Sequence, residues 1–525
     1  MEIMATINWL YSHIWLSDIA ITLFGLFLFS SILQKFTNKG GPMIWPLLGI
    51  VPSIFQNFHC IHDWVTRSLI KTGGTFHYRG VWMSGAHGIM TADPSIIEYM
   101  LKTNFKNFPK GINYRERFLD LLGDGIFNAD GELWKQQRRA ATFEMHSFQF
   151  TEYSLKTIRD LVHQKLLKVM EKVAESNSCI DLQEVLLRFT FDNICNAAFG
   201  IDAGCLAPEL PNVPFAKAFE EATESTLFRF LVPPFVWKPM KFFRLGFEKR
   251  LRKAVRIVHD FAETTVMERK MEILNNPGEF NDRSDLLSRL IRIESTYQNG
   301  LKKYFSNKLL QDFCISFILA GRDTSSVGLA WFFWLIHKNP QVETSILDEI
   351  TLIIAHRKLK NGEINDIVFT EDELKEMVYL HAAISESLRL YPPVPIDFKE
   401  VLEDDLFPGG TVIRRGARVL YSIYSMARLE SIWGKDCNEF KPERWIKDGE
   451  FVSENQFKYV VFNGGPRLCV GKKFAYMQMK MVAASIVLRY SVKVVEGHEV
   501  CPKVTTTLYM KNGLLVNLEP RVNLF

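Results

Sequence analysis

FNGGPRLCVGKKFAYMQMK, residues 462–480 of a 525-residue chain, is the stretch from which the rest can be read. Cys469 stands just ahead of a helical pattern over 472–490, where free N–H groups and the positive end of the helix dipole favour a thiolate. Gly464, Gly465 and Gly471 permit tight turns and the close approach of a flat partner to the backbone. Arg467, two residues before the cysteine, can pair with an acidic group on that partner. A buried free thiol at a loop–helix junction is the plainer reading, and the loop alone leaves both open. The other cysteines narrow the setting. Eight in the whole chain, with no CxxC pair, exclude a disulfide scaffold and a structural zinc cluster and fit a reducing compartment.

Three further places upstream carry chemistry. Residues 303–338 read as one buried helix, about 54 Å long at the α-helical rise. FCISFILA and VGLAWFFWLI flank a polar island, Gly321–Arg322–Asp323–Thr324–Ser325–Ser326. Burying such groups costs free energy unless they are bonded, and a threonine returning its hydroxyl to a carbonyl one turn back is the bland explanation. Asp323 and Thr324 can also relay protons. Glu386 and Arg389 share a helix face at i and i+3, followed by YPPVP and, later, by FKPERW over 440–445. Trp134 and Arg138 lie one helical turn apart.

Phe462, Gly465, Arg467, Cys469 and Gly471 match the F-x-x-G-x-R-x-C-x-G loop of cytochrome P450, and the other three motifs follow that family's order. The resemblance runs from about Gly41 to the C-terminus. It implies a mainly α protein with small β-sheets, the cytochrome P450 fold, preceded by an N-terminal membrane anchor helix. It implies haem b, with Cys469 as the axial thiolate that pushes electron density onto iron and favours O–O cleavage. AGRDTS resembles the family's central-helix motif, so Ala320 and Gly321 would leave room for O2 while Asp323 and Thr324 act catalytically. Glu386, Arg389 and Arg444 would lock the core beneath the haem, and Trp134 and Arg138 would hold a propionate. Ser325 replaces a commoner threonine. Ala320 stands where some animal fatty-acid hydroxylases carry a glutamate esterified to haem, which makes that bond unexpected here.

The ends and the body are organised around this. Residues 19–34, IAITLFGLFLFSSILQ, carry no charge, and Asp18 is the sole acidic residue between Glu2 and Lys35. An acidic start without a cleavage site argues against a signal peptide, so residues 1–39 are read as a membrane anchor. Lys35 and Lys39 place the body in the cytosol, at the endoplasmic reticulum membrane. Residues 40–52 hold three Pro and three Gly and read as a hinge; 53–525 read as one catalytic domain. Helical patterns cover 154–175, 182–199, 243–271, 303–338 and 371–390. Strands are expected at 75–82, 412–413 and 418–424, with a C-terminal hairpin over 505–518 turning at 511–513, and 208–240 read as a loop-and-helix lid. A net charge of +4 on 63 basic and 59 acidic residues gives no support to a nucleic-acid role.

LKTNFKNFPKG, RERFLDLLGDGIFNADGELWKQQRRAATFEMHS and FNGGPRLCVGKKFAYMQMKMVAASI are similar to plant long-chain fatty-acid omega-hydroxylases, which make monomers of cutin and suberin. That resemblance implies O2, a long-chain fatty acid and electrons from NADPH through a separate reductase; no dinucleotide fingerprint occurs in the chain itself. A mid-chain alkane hydroxylase of wax synthesis is the alternative within the branch. A tethered haem sensor or carrier would not need Asp323 and Thr324, and a thiolate isomerase commonly lacks that pair. Attack on a terminal methyl demands a narrow apolar slot. Its expected walls are Phe118, Leu122, Ala320, Val394, Pro395, Ile396, Leu508 and Tyr509, each of which is equally readable as core.

Overall fold

The computed structural model describes residues 15–37, 40–207, 209–275, 283–296, 306–361 and 367–521. Helix α1 (Leu16–Thr37) is apolar around its circumference and exposes Ile21, Phe24 and Phe29, since no core covers it. Its 17–34 segment is long and apolar enough to cross a membrane. The first 14 residues of the expected anchor, with 38–39, lie outside the described residues. The Pro/Gly segment does not hang free. The Gln34 side chain donates to the Ile44 carbonyl (2.7 Å) and accepts the Ile44 N–H (2.9 Å), while Phe27 packs on Trp45 with centroids 5.0 Å apart.

The body is a set of helices around one buried rod. In chain order they include α2 (Gly111–Leu122), α3 (Gly131–Met145), α4 (Leu182–Phe199), α5 (Pro214–Leu231), α6 (Pro234–Phe243), α7 (Gly246–Asn275), α8 (Asn307–Lys338), α9 (Val378–Leu390) and α10 (Lys472–Arg489). Helix α8 is the rod. Ser306 caps it by accepting the Leu309 N–H, and residues 303–305 of the expected helix lie outside the described residues. Two apolar clusters meet along it. One contains Leu310 to Ile318; the other contains Val327 to Ile336. The polar island falls in the gap between them, so the side chains of Arg322 to Ser326 stand where neither apolar cluster continues.

Strands β1 (Thr75–Arg79), β2 (His87–Thr91), β4 (Ile396–Glu400) and β5 (Arg418–Ser422) form one sheet in the order β1-β2-β5-β4, with only β2 and β5 parallel. A second sheet orders β6 (Tyr490–Val494), β7 (Leu515–Pro520) and β3 (Ile180–Asp181). This overturns the expected C-terminal hairpin over 505–518. The isolated bridge nearby, Pro502 with Met510, closes ahead of the expected turn at 511–513, and β7 pairs instead with β6, at the end of α10. Two helical patterns are also interrupted. The 371–390 stretch breaks at Met377, whose backbone leaves the helical region, and the 243–271 stretch breaks at Arg244, in the left-handed region. Where a loop-and-helix lid is expected over 208–240, the described residues form a helix pair, α5 and most of α6, joined through Pro233; residue 208 lies outside them.

Candidate functional site

The cysteine loop is closed by its own backbone. Cys469 N–H donates to the Phe462 carbonyl at 2.8 Å, which folds 462–469 back on itself ahead of α10. Gly465 has φ +59°, and a Cβ there would lie 2.1 Å from the Leu101 carbonyl oxygen, so only glycine lets the loop dock on that backbone. Cys469 is surrounded by protein, yet its side chain is accessible, which places Sγ on the wall of a cavity. Burial pushes the thiol up, opposed by the Gly471 N–H, Arg138 and Lys472. Gly471 keeps the helix start open beside Sγ: a Cβ there would be 4.0 Å from the sulfur.

Cations gather around this cavity in excess of acids. Arg467 donates to the Ala129 carbonyl (2.9 Å), pairs with Asp130 (2.5 Å) and lies 4.5 Å from the Trp134 ring. Its Nε is buried with no partner among the described residues. Lys110 and Lys399 both bind Asp397, at 2.7 and 3.4 Å, and Tyr421 donates to the same carboxylate at 2.7 Å. Burial works against the Asp397 charge, but the two lysines hold its carboxyl far below the usual range. Burial pushes the Lys399 ammonium down to about 7, against the pull of Asp397 and with help from Lys110 and Arg467. Arg138 feels both Cys469 and Arg467. Among the described residues, Lys110, Arg138 and Arg467, with the partly ionised Lys399, stand against Asp130 and Asp397. That excess of positive charge suits the propionates of haem and the accessible sulfur suits a thiolate ligand to its iron, so the residues present fit that group. Lys110, Lys399 and Asp397 were not singled out from the sequence; the only local trace is an Asp and a Lys two apart on one strand.

On α8 the expected residues divide. Ala320 and Thr324 are partly exposed, one turn apart, and Thr324 Oγ1 donates to the Ala320 carbonyl at 2.7 Å. Asp323 is buried, bound by Arg322 Nη1 at 2.9 Å, with Tyr509 beside it. Burial raises its carboxyl above the usual range, although Arg322 and Tyr509 pull the other way. No hydrogen bond joins Asp323 to Thr324 among the described residues. Arg322 Nη2 lies 3.9 Å from Glu220, which is half exposed. Gly321 does not face the cavity: a Cβ there would meet Ile194 of α4 at 2.5 Å, so its smallness serves helix packing.

Glu386 and Arg389 form a two-pronged buried pair, at 2.7 and 2.8 Å, and Arg444 reaches Glu386 at 3.3 Å. The slot candidates are scattered in exposure. Ala320, Val394 and Ile396 keep accessible surface; Phe118, Leu122, Pro395 and Leu508 are buried. Leu508 is pinned, its N–H on the Pro393 carbonyl (2.9 Å) and its carbonyl on the Trp331 indole (2.7 Å).

Residues 40–520 match the family model of cytochrome P450. Cytochrome P450 86B1 of Arabidopsis thaliana is 51% identical over 502 residues, 94% of this chain and 89% of the relative. Cytochrome P450 94A1 of Vicia sativa is 40% identical over 465 residues, 87% of this chain and 85% of the relative. Noroxomaritidine synthase 1 of Narcissus pseudonarcissus is 35% identical over 507 residues, 96% of each chain. A relative named for an activity as particular as the last shows that similarity of this order does not settle a substrate. With a thiol at a helix start, an excess of positive charge beside it and a family match over residues 40–520, the chain belongs to the cytochrome P450 family of haem-thiolate monooxygenases.

Proposed function

We propose that this enzyme hydroxylates long-chain or very-long-chain fatty acids at the omega carbon, for cutin or suberin monomers, with Cys469 as the haem ligand. The family holds haem on a cysteine thiolate and takes electrons from NADPH through a reductase. The haem supplies the oxygen chemistry, by which one atom of O2 enters a C–H bond and the other leaves as water. The chain's own residues hold, shape and protonate. Lys110, Lys399, Arg467, Trp134 and Arg138 would hold the propionates. The observation that carries the regiochemical reading is that Val394 and Ile396 keep accessible surface beside a fixed stretch of backbone, where the Pro393 carbonyl accepts the Leu508 N–H and the Leu508 carbonyl accepts the Trp331 indole N–H. Terminal C–H bonds are stronger than internal ones, so a rigid shape must exclude the easier positions.

The test is a screen with reductase-containing membranes and fatty acids, alkanes and sterols, the products read by mass spectrometry. Long-chain acids are expected to give mainly the terminal alcohol. Mid-chain alcohols from alkanes, with acids inert, overturn the reading in favour of wax synthesis. Val394→Ala is expected to spread oxidation toward internal carbons. Leu508→Ala should do the same but would lose roughly 2–5 kcal/mol of stability as well, because Leu508 is wholly buried.

Proton delivery is assigned to Asp323 and Thr324. Burial raises the Asp323 carboxyl above its ordinary value, which favours the protonated form, but the group must leave Arg322 to reach the Thr324 side of the helix. Thr324→Ala is expected to leave haem content intact while product per NADPH falls severalfold and hydrogen peroxide rises; unchanged coupling removes Thr324 from the mechanism. Asp323→Asn is expected to slow turnover roughly 10- to 100-fold with little change in substrate affinity.

We place the enzyme at the endoplasmic reticulum membrane, body toward the cytosol, on the strength of the uncovered α1 and the lysines that follow it. Deleting residues 1–39 is expected to shift much of the protein from the membrane pellet to the supernatant with its haem spectrum unchanged. Some binding should persist through Phe242 and Phe243, 79% and 65% exposed at the end of α6. Full retention in the pellet shows that α1 is not the main contact.

A further inference from the structure

Two guanidinium groups in the body stand together without an acid to match them. Arg117, on α2, is 4% exposed, and Arg418 opens β5. Asn113 holds both: its Oδ1 accepts from Arg418 Nη2 and lies 3.5 Å from Arg117 Nη1, while its backbone carbonyl accepts from Arg117 Nη1 at 2.6 Å. Neither arginine has a carboxylate within 4 Å among the described residues, and Arg418 Nε is buried without a partner. Two acids lie in the neighbourhood, and both are engaged elsewhere: Glu116 pairs with Lys238 at 2.9 Å, and Glu400, opposite Arg418 across the ladder, gives its Oε2 to the Asn113 backbone and side-chain N–H groups at 3.1 and 3.0 Å. The neighbouring Arg229 is different: Glu248 and Asp120 satisfy it at 2.6 and 2.7 Å.

The surroundings suit the end of a lipid. Tyr78 on β1 lies in the same cross-strand row as Arg418, with Gly88 between them contributing no side chain. The Tyr78 hydroxyl has no hydrogen-bond partner among the described residues, and it feels both arginines. On the other side, Arg117 lies 5.3 Å from the Phe230 ring, which joins Phe118 and Phe398 at 5.4 and 5.8 Å in an apolar patch. A charged group and an aromatic run thus adjoin, the arrangement an amphiphile with one anionic end requires.

We propose that Arg117 and Arg418 bind the carboxylate of the fatty-acid substrate, assisted by the Tyr78 hydroxyl, and so determine which end of the chain is offered for oxidation. This rests on the fatty-acid reading above. Burial and the nearness of Arg418 bring the Arg117 guanidinium down to about 10; an anion between the two would reverse that unfavourable pairing. A purely architectural role is the competing account, since Arg117 Nε also caps α5 by donating to the Arg229 carbonyl at 2.9 Å.

The experiment compares a long-chain acid with the alkanol of equal length, on the full-length holoenzyme, by calorimetric titration. Wild type is expected to bind the acid more tightly. Arg418→Gln, which touches no helix cap, and Arg117→Gln are each expected to weaken the acid about 10- to 100-fold and leave the alkanol within twofold. Tyr78→Phe, which keeps the ring, is expected to weaken the acid alone by a smaller factor. If both ligands weaken together in both arginine variants, the arginines are architectural and the proposal fails. If wild type binds acid and alkanol equally and still hydroxylates the acid, the carboxylate site is refuted while the hydroxylase reading stands. If wild type binds neither, both fall.

Discussion

Replacing Cys469 by alanine is expected to abolish the thiolate-type absorption of the reduced carbon-monoxide complex and to take hydroxylation to background. No group of three or more metal-binding side chains exists among the described residues to substitute for the sulfur. Histidine at 469 should also remove that absorption, since an imidazole is neutral and donates less electron density than a thiolate. The Phe462–Cys469 hydrogen bond is made by backbone atoms, so the loop should keep its shape in both variants. A retained thiolate spectrum in the alanine variant would place the ligand elsewhere and undo the site as described.

Arg389→Lys is expected to be nearly as damaging, by a different route. Arg389 forks onto both oxygens of Glu386 and also donates to the carbonyls of Ala427, Cys437 and Glu439. Glu386 receives in addition the Trp445 indole at 2.9 Å and the Lys441 N–H at 3.2 Å. One buried pair therefore gathers the 427–445 segment that leads to the cysteine loop. Lysine cannot reproduce a planar fork with this many donors, and leaving Glu386 partly unpaired in the core costs roughly 3–5 kcal/mol. The result should be a marked fall in haem-loaded protein and in the thermal unfolding midpoint, with no change in regiochemistry for whatever enzyme remains. A variant with the wild-type midpoint would mean that the pair does not hold this segment.

How far these features can be read from the chain depends on whether their causes are local. Helix α4 falls on 182–199 as the sequence predicts, because Asp181 caps it through the Gln183 and Glu184 N–H groups and Gly200 ends it in the left-handed region. The break at Met377 has no such marker; Thr370 and Glu373 form a capping box that starts a short helix, and nothing as plain as glycine or proline stops it. The C-terminal hairpin was misread because the true partner of β7 lies at the end of α10, about 25 residues upstream, and pairing at that distance leaves no local pattern. The site divides the same way. Cys469, Arg467 and Thr324 announce themselves by spacing. Lys110 and Asp397, nearly 290 residues apart, acquire meaning only when β4 meets the start of α2.

The clasp of Gln34 on Ile44 bears on mechanics as well as on chain path. Thirteen unrestrained residues, the length of 40–52, would let their ends wander over about 20 Å. Here the junction begins with a side chain hydrogen-bonded both ways to the backbone and a ring packed at a tilt against Trp45, so it behaves as a bracket rather than a tether. A bracket transmits torque. With α1 in a lipid layer, as proposed, its tilt would be passed to the body, and the heading of the cavity relative to that layer would become a property of the first fifty residues as much as of the enzyme they carry.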